Sequence, residues 1–257
     1  SKMVNQKNKN CLDSSIASSF SKYARSYDRH ARLQKMMAER LASFLPKETP
    51  NQVLEIGCGT GLFTKYLLAH QIEKIILNDI SGEMVKCLQI KLSLPLSSKI
   101  MVGNAEVMTF QTVDMITANA VFQWFKKPGE TLRLLNSYVN PNGKLIFSTF
   151  GPATLSEFRK TASVESPALL LSFNTWKKLI KGAGFTLKSS TSNIHKSFYP
   201  STLSLLKNLQ QLGAAPTRMT SSGGLRHLIR DYDENFSTNQ GVYATWELFY
   251  FSAINKP

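Results

Sequence analysis

The chain has 257 residues, 42% of them hydrophobic, which is enough to bury the core of one large domain or of one domain with a lid. It contains no apolar run of 18 residues, and its polar start, SKMVNQKNKN, leads into no hydrophobic segment; we therefore expect neither a membrane span nor a signal peptide, and a cytoplasmic location. The formal net charge of +14 favours encounter with polyanions, whether nucleic acid, an anionic membrane face or an acidic carrier protein, without choosing among them.

Cysteine spacing argues against two structural devices. Cys11, Cys58 and Cys87 are odd in number and form no CxxC pair, so neither a disulfide framework nor a zinc site is predicted. The basic residues are scattered, with no run of five that would mark a nucleic-acid-binding tail, and a solvated surface is an equally good explanation of the charge.

The N-terminal part of the chain is predicted to be helical. Apolar residues recur at spacings of three and four over residues 12–45, with a break expected near Asp28 and a stop at Pro46. From Gln52 the texture changes to short β-type runs that alternate with helical stretches up to residue 150, which predicts a parallel sheet with crossover helices. The segment NPNG, residues 140–143, is predicted to be a turn before the fifth strand.

Beyond Gly151 the alternation loosens. The pattern predicts helices over residues 152–164 and near 173–184, a late pair of strands before Pro200, helices over 201–213 and 224–236, and a long final strand over 241–254. We therefore expect a doubly wound α/β domain with a helical insertion between its last two strands. The predicted divisions are an N-terminal helical segment (1–45), an α/β core (46–155), and a helical insertion with C-terminal strands (156–257).

The segment VLEIGCGTG, residues 53–61, joins a predicted strand to a helix through three glycines. Gly57, Gly59 and Gly61 remove the Cβ atoms that would keep a ligand away from the backbone, although a purely structural turn is the alternative. Their G-x-G-x-G spacing differs from the G-x-G-x-x-G of dinucleotide sites, and Glu55 within the strand would repel a pyrophosphate. The combination suits a ligand with an ammonium group.

Polar residues also follow the next predicted strands. Asp79 ends the second strand, where an acid can accept hydrogen bonds from both hydroxyls of a ribose, although a helix N-cap role is the alternative. Asn104 and Ala105 follow the third strand and could contact an adenine edge, and NAVFQW, beginning at Asn119, ends the fourth. Ligands of open α/β sheets bind beyond the carboxyl ends of the strands, where all these motifs fall.

EIGCGTG, NDIS, GNAE and NAVFQW together resemble the successive motifs of class I methyltransferases that use S-adenosylmethionine. FSKYARSYDRHARLQ, FSTFGPATLSEF and LLKNLQQLGA extend the resemblance over nearly the whole chain, to the malonyl-acyl-carrier-protein O-methyltransferase family of biotin synthesis. The resemblance implies a Rossmann-like α/β fold with a mostly parallel seven-stranded sheet flanked by helices and a helical lid. It further implies that residues 1–45 close over the cofactor, that residues 46–155 bind S-adenosylmethionine, and that the lid lies within residues 156–257. That family often has Asp where this chain has Asn104, which puts only that adenine contact in doubt.

The family resemblance also implies the reaction and its residues. The free carboxylate of a malonyl thioester takes the methyl group, giving a methyl ester and S-adenosylhomocysteine, and since a carboxylate is already ionised no catalytic base or metal is expected. Tyr27, His30 and Gln34 share one helical face, which by itself favours core packing; the resemblance favours Tyr27 as a cofactor contact and leaves the other two open. The expected cofactor contacts are Tyr27, His30, Gln34, Glu55, Gly57, Cys58, Gly59, Asp79, Ile80, Asn104, Ala105 and Asn119.

The expected substrate contacts are Gln123, Trp124, Phe150, Arg159 and Arg218, of which either arginine could clamp the carboxylate. The alternative for Trp124 is a purely structural role, packing at the end of the sheet. Lys126, Lys127 and Arg133 are expected to dock an acyl carrier protein, with malonyl-CoA as the other possible acceptor. We expect a monomer with no stable nucleic-acid partner and no membrane association.

Three alternatives stay open at this point: a methyltransferase for another small carboxylic acid, one for RNA, and a non-catalytic cofactor-binding protein. RNA enzymes that methylate base nitrogens commonly resemble one another in an Asn-Pro-Pro-aromatic tetrad after the fourth strand, where this chain has NAVFQW.

Overall fold

The computed structural model describes residues 14–212 and 222–256. Ten helices occur in these ranges: α1 (14–23), α2 (Tyr27–His30), α3 (Arg32–Ala42), α4 (Thr64–Ala69), α5 (Gly82–Lys91), α6 (Pro128–Ser137), α7 (Ser156–Ala162), α8 (Phe173–Gly182), α9 (Thr202–Gln211) and α10 (Ser222–Phe236). The strands are β1 (Gln52–Ile56), β2 (Lys74–Asp79), β3 (Lys99–Val102), β4 (Val113–Asn119), β5 (Val139–Phe150), β6 (Phe185–Tyr199), β7 (Ser237–Thr238) and β8 (Gly241–Asn255).

The strands form one sheet in the order β3-β2-β1-β4-β5-β8-β6, with the two-residue β7 paired to β8. β1 to β5 are mutually parallel where they pair, and β8 runs antiparallel to both of its long neighbours. The prediction of an α/β fold with a mostly parallel sheet and flanking helices is confirmed. Among the described residues the sheet has eight strands, the seven expected and the two-residue β7. Helices α9 and α10 lie between β6 and β8 in the chain, as the predicted insertion requires.

Both faces of the inner strands are buried, which explains why these strands read as continuous apolar runs. In β1, Val53 belongs to one core cluster and Leu54 to the other, and the same alternation recurs in β2 with Ile75 and Ile76. Side chains alternate across a strand, so each strand supplies both layers of the core. The rigid sheet fixes the positions of the loops at the carboxyl ends of β1 to β4.

Three local predictions need correction. The N-terminal helix ends at Ala42 rather than Leu45. It is interrupted twice rather than once, at residues 24–26 before α2 and at Ala31 after it. Residues 140–143 form no separate turn; they bulge within β5, because the pair Val113–Val139 is followed directly by Met115–Lys144. The late strand pair is one 15-residue strand, β6, since its entire length finds a partner in β8. Within the described ranges, no helix is both long and apolar enough to cross a membrane.

Candidate functional site

The glycine-rich turn after β1 is held in a conformation that needs glycine. Gly57 and Gly59 have φ values of +65° and +54°, in the left-handed region that residues with a Cβ rarely adopt. Between them the Cys58 amide donates to the Asn78 carbonyl at 2.8 Å, which ties the turn to β2. A Cβ on Gly59 would meet no atom closer than 4.0 Å, so this part of the backbone faces open space. The turn therefore forms the floor of a cavity.

A cavity lies beyond the carboxyl ends of the strands, where the four motifs were expected to meet. The glycine turn borders it on one side, and residues after β2, β3 and β4 complete the floor and walls. Of the expected cofactor contacts it is lined by Tyr27, Gly57, Gly59, Asp79, Ile80, Asn104, Ala105 and Asn119. We call it the main cavity.

Asp79 is buried at the centre of the main cavity. Its two carboxylate oxygens accept hydrogen bonds from the backbone amides of Gly59 and Ser81, each at 2.8 Å. Burial raises the pKa of Asp79 to about 6, against the opposing effect of the amide donors. The Ile80 amide acts as a further donor, and the two oxygens together still retain acceptor capacity for a ligand hydroxyl. The N-cap of α5 is Ser81, whose side chain accepts from the Met84 amide, so Asp79 itself is not the cap.

A smaller inner cavity lies on the other side of the glycine turn. Glu55, Gln34, Cys58 and Asn119 line it together with Tyr27. Burial raises the pKa of Glu55 to about 8, although Thr64 donates to its carboxylate at 2.6 Å. The Oε1 atom of Gln34 is buried and has no hydrogen-bond partner among the described residues. A carboxyl group and an unpaired amide oxygen at one cavity are suited to a ligand that donates hydrogen bonds, such as an ammonium group.

Asn119 connects this cavity to the N-terminal helices. Its Nδ2 donates to the Gln34 carbonyl at 3.1 Å, and its Oδ1 accepts from the Ser148 hydroxyl at 2.7 Å. The side chain is thus fixed between β4, β5 and α3. This arrangement places Gln34 at the cavity even though it lies 85 residues away in the chain.

The N-terminal helices cover the main cavity. Ile16 and Phe20 of α1 line it beside Tyr27 of α2, and the Phe20 ring meets Trp124 edge-on at a centroid distance of 6.0 Å. Sequence reasoning did not assign Ile16 or Phe20 to the site, although their spacing of four residues on one helix face was a usable signal. It also missed Glu106, which lines the cavity and accepts from the Lys126 amide at 2.9 Å.

A second chamber adjoins the main cavity, and the two share Phe20, Tyr27, Ala120 and Trp124. Of the expected substrate contacts, Gln123, Trp124 and Phe150 line it. The remaining wall comes from Gln34, an expected cofactor contact, and from segments that sequence reasoning did not assign: Thr154, Leu155, Ser166, Pro167, Ala168, Leu170, Leu212 and Trp246. The described part of this lining contains no charged side chain. We call it the acceptor chamber.

Gln123 fixes the floor of the acceptor chamber. Its Nε2 donates to the Ala120 carbonyl at 2.8 Å, its Oε1 accepts from Thr149 at 3.0 Å, and its backbone carbonyl accepts from the Leu169 amide. These bonds tie the loop between α7 and α8 to the end of β4. The wall therefore depends on contacts that no single segment specifies.

Two expected site residues, His30 and Arg159, lie elsewhere. His30 lines none of these three cavities in the described structure; its carbonyl accepts from Asn208 Nδ2 at 3.1 Å. Arg159 also lines none of them, because its guanidinium donates to the carbonyls of Pro152 and Thr154. Arg218 lies outside the described residues.

The expected docking residues lie around the start of α6. Lys127 and Arg133 are exposed, and Lys127 pairs with Glu130 at 3.0 Å. The backbone amides of Lys126 and Lys127 both donate to Glu106. Nearby acids therefore partly offset the positive charge of this patch.

Comparison with known proteins gives results at three levels. A family model described as "Methyltransferase domain" matches residues 27–190. Malonyl-[acyl-carrier protein] O-methyltransferases of Paenibacillus sp. (strain JDR-2) and Halalkalibacterium halodurans are 29% and 30% identical, covering 87% and 90% of this chain and 92% and 94% of the relatives. Phosphoethanolamine N-methyltransferase 2 of Haemonchus contortus, solved in complex with S-adenosyl-L-methionine, has a TM-score of 0.57 at 17% identity, covering 92% of this chain and 57% of that one. The chain belongs to the methyltransferase domain family, and proteins named malonyl-[acyl-carrier protein] O-methyltransferase are its relatives over nearly its whole length.

Proposed function

We propose that this protein transfers a methyl group from S-adenosylmethionine to the free carboxylate of a malonyl group on acyl carrier protein. The observation that carries the proposal is the pair of adjoining cavities, one lined by the four methyltransferase motifs and one with an uncharged described lining. The full-length relatives that bear this activity in their names support the choice of acceptor.

The residues present fit S-adenosylmethionine. The unpaired Oε1 of Gln34 and the carboxyl group of Glu55 suit the ammonium of its methionine part, and Asp79 retains acceptor capacity for a ribose hydroxyl. Asn104 and Ala105 would border the adenine. When bound, the cofactor supplies an electrophilic methyl group on a sulfonium.

The protein's own contribution is positioning and exclusion of water. A malonyl carboxylate is ionised at neutral pH, so the site needs no proton acceptor to activate it. Tyr27, Ala120 and Trp124 border both cavities and would align the carboxylate oxygen with the methyl group. An uncharged, partly enclosed chamber strips water from the anion, which raises its reactivity.

The change in charge that methylation produces gives a chemical reason for the reaction. Methylation removes one negative charge from the acyl group, and an uncharged ester enters apolar sites of later enzymes at much lower desolvation cost than a carboxylate does. The net charge of +14 favours encounter with an acidic carrier protein, for which Lys126, Lys127 and Arg133 remain our proposed contacts. We further propose that the enzyme acts as a cytoplasmic monomer without a stable nucleic-acid partner.

The test is incubation with methyl-labelled S-adenosylmethionine and one of four acceptors: malonyl carrier protein, malonyl-CoA, acetyl carrier protein or RNA. We expect base-labile label on the malonyl thioesters, since a carboxyl methyl ester hydrolyses in mild base. Acetyl carrier protein is the matched control because it lacks only the free carboxylate.

Three outcomes would contradict the proposal. Label on RNA, or equal label on acetyl and malonyl carrier protein, would assign a different acceptor. Calorimetric binding of S-adenosylmethionine with no label on any acceptor would favour a non-catalytic cofactor-binding protein.

A further inference from the structure

The Asp28 carboxylate is one of the groups that join the cover of the main cavity to the core. Asp28, the residue after Tyr27, accepts a hydrogen bond from the Thr60 hydroxyl at 2.5 Å through Oδ1, and its Oδ2 pairs with the Lys91 ammonium. Thr60 lies in the glycine-rich turn, and Lys91 is the last residue of α5. Asp28 thus joins the N-terminal cover to two core elements that border the cofactor site.

Helix α2 cannot set its own position. It is four residues long, its N-cap Ser26 makes no side-chain capping bond, and none of its residues is fully buried. A helix this short is unstable without tertiary contacts, so the placement of Tyr27 depends on what holds its neighbours. Two other bonds hold this region: the Lys35 ammonium donates to the Asp28 carbonyl at 2.6 Å, and the Ser21 and Ser81 hydroxyls bond at 2.8 Å. Of the hydrogen bonds that α2 makes in the described structure, only that of the Asp28 side chain is to the glycine-rich turn.

The contacts of the Asp28 side chain are weak enough to break and re-form. The side chains of Asp28 and Lys91 are 29% and 41% exposed, and partly exposed ion pairs are weak and sensitive to salt. Thr60, in contrast, is only 2% exposed, so the hydroxyl end of its bond to Asp28 is buried. Since Ile16, Phe20 and Tyr27 line the main cavity, movement of this cover would change the access of a ligand of cofactor size.

We propose that Asp28 is a positioning residue that latches the N-terminal cover, residues 14–30, over the cofactor and thereby controls the rate at which cofactor and product leave. The inference rests on the proposed function only in taking S-adenosylmethionine and S-adenosylhomocysteine as the ligands. Asp28 acts through Tyr27 and the cover rather than through contact with the reacting atoms.

The test measures dissociation of labelled S-adenosylhomocysteine, chased with excess unlabelled ligand, from the whole protein and its variants. Asp28→Ala should raise the dissociation rate on the order of tenfold, the effect of losing a hydrogen bond to a charged group in a partly exposed setting. Lys91→Met should raise it less and abolish most of its salt dependence, and Asp28→Glu should restore part of the wild-type rate. Lys86→Met is the matched control, because Lys86 lies on the same helix α5 but pairs with Glu83.

A purely structural role is separated by two further readouts. The melting temperature of the ligand-free protein should be nearly the same for wild type and Lys91→Met, while the rise produced by ligand should be smaller in the variant. Steady-state kinetics should show a rise in the KM for S-adenosylmethionine that exceeds any rise in the KM for the malonyl acceptor, because Phe20 and Tyr27 of the cover border both cavities whereas Ile16 borders only the main one. Equal dissociation rates in wild type, Asp28→Ala and Lys91→Met would overturn the latch. If the wild type binds neither ligand, the proposed function fails instead.

Discussion

Replacing Gly57 by Ala should destabilise the protein and weaken ligand binding. The geometry allows the loss in free energy of unfolding to be divided into a backbone part and a steric part. A non-glycine residue at φ +65° costs about 1–2 kcal/mol. The added Cβ would lie 2.3 Å from Cγ2 and 2.9 Å from Cγ1 of Val121, which is overpacking that typically costs about 1–3 kcal/mol. We therefore expect Gly57→Ala to lower the free energy of unfolding by about 2–5 kcal/mol.

Urea unfolding of a double-mutant cycle separates the two causes. In a Val121→Ala background both Cγ atoms are absent and only the contact with the Cβ of residue 121, at 3.2 Å, remains, so Gly57→Ala should cost mainly the backbone part, about 1–2 kcal/mol. Gly182→Ala is the control, because a Cβ there meets nothing within 4 Å at the end of α8, and it should be neutral or stabilise by up to about 1 kcal/mol. If Gly57→Ala costs the same in both backgrounds, the steric reasoning is wrong. Calorimetry on each folded variant would then report whether the affinity for S-adenosylmethionine falls when the conformation of the glycine-rich turn is disturbed.

Three further predictions concern charge. Asp79→Ala should weaken binding of S-adenosylmethionine by about 1–3 kcal/mol in calorimetry, and unchanged affinity would remove Asp79 from the site. The pKa of Glu55, about 8 in the folded protein, lies above its unfolded value, so the folded state holds a proton that the unfolded state releases. The free energy of unfolding of the ligand-free protein should therefore fall as the pH rises from about 5 to 8, as urea titrations at several pH values would measure. Glu55→Gln should make this pH dependence weaker, and an unchanged dependence would show that Glu55 is not the group responsible. Reversing the charges of Lys126, Lys127 and Arg133 should slow turnover on malonyl carrier protein more than on malonyl-CoA, whereas equal slowing would reject carrier docking at this patch.

The sequence alone determined the parallel half of the sheet and much of the main cavity. Alternation of short apolar runs with helical periodicity is a local signal, and it located β1 to β5 correctly apart from the bulge at residues 140–143. Parallel strands bring their carboxyl ends to one edge, so motifs after β1 to β4 had to converge there whatever the loops did. Gly57, Asp79 and Asn104 line one cavity for this reason.

Only the tertiary structure decided which distant segments close the site. Gln34 reaches the inner cavity through a bond to Asn119, and Trp246 joins the acceptor chamber from β8 at the far end of the chain. Arg159 satisfied its donors with nearby carbonyls, and Asp28 paired with Thr60 and Lys91, neither of which composition or spacing indicated. Such contacts depend on how rigid elements pack and on which polar group lies nearest after packing. Periodicity specifies the faces that elements bury, but a side chain chooses its hydrogen-bond partner only once those faces have met.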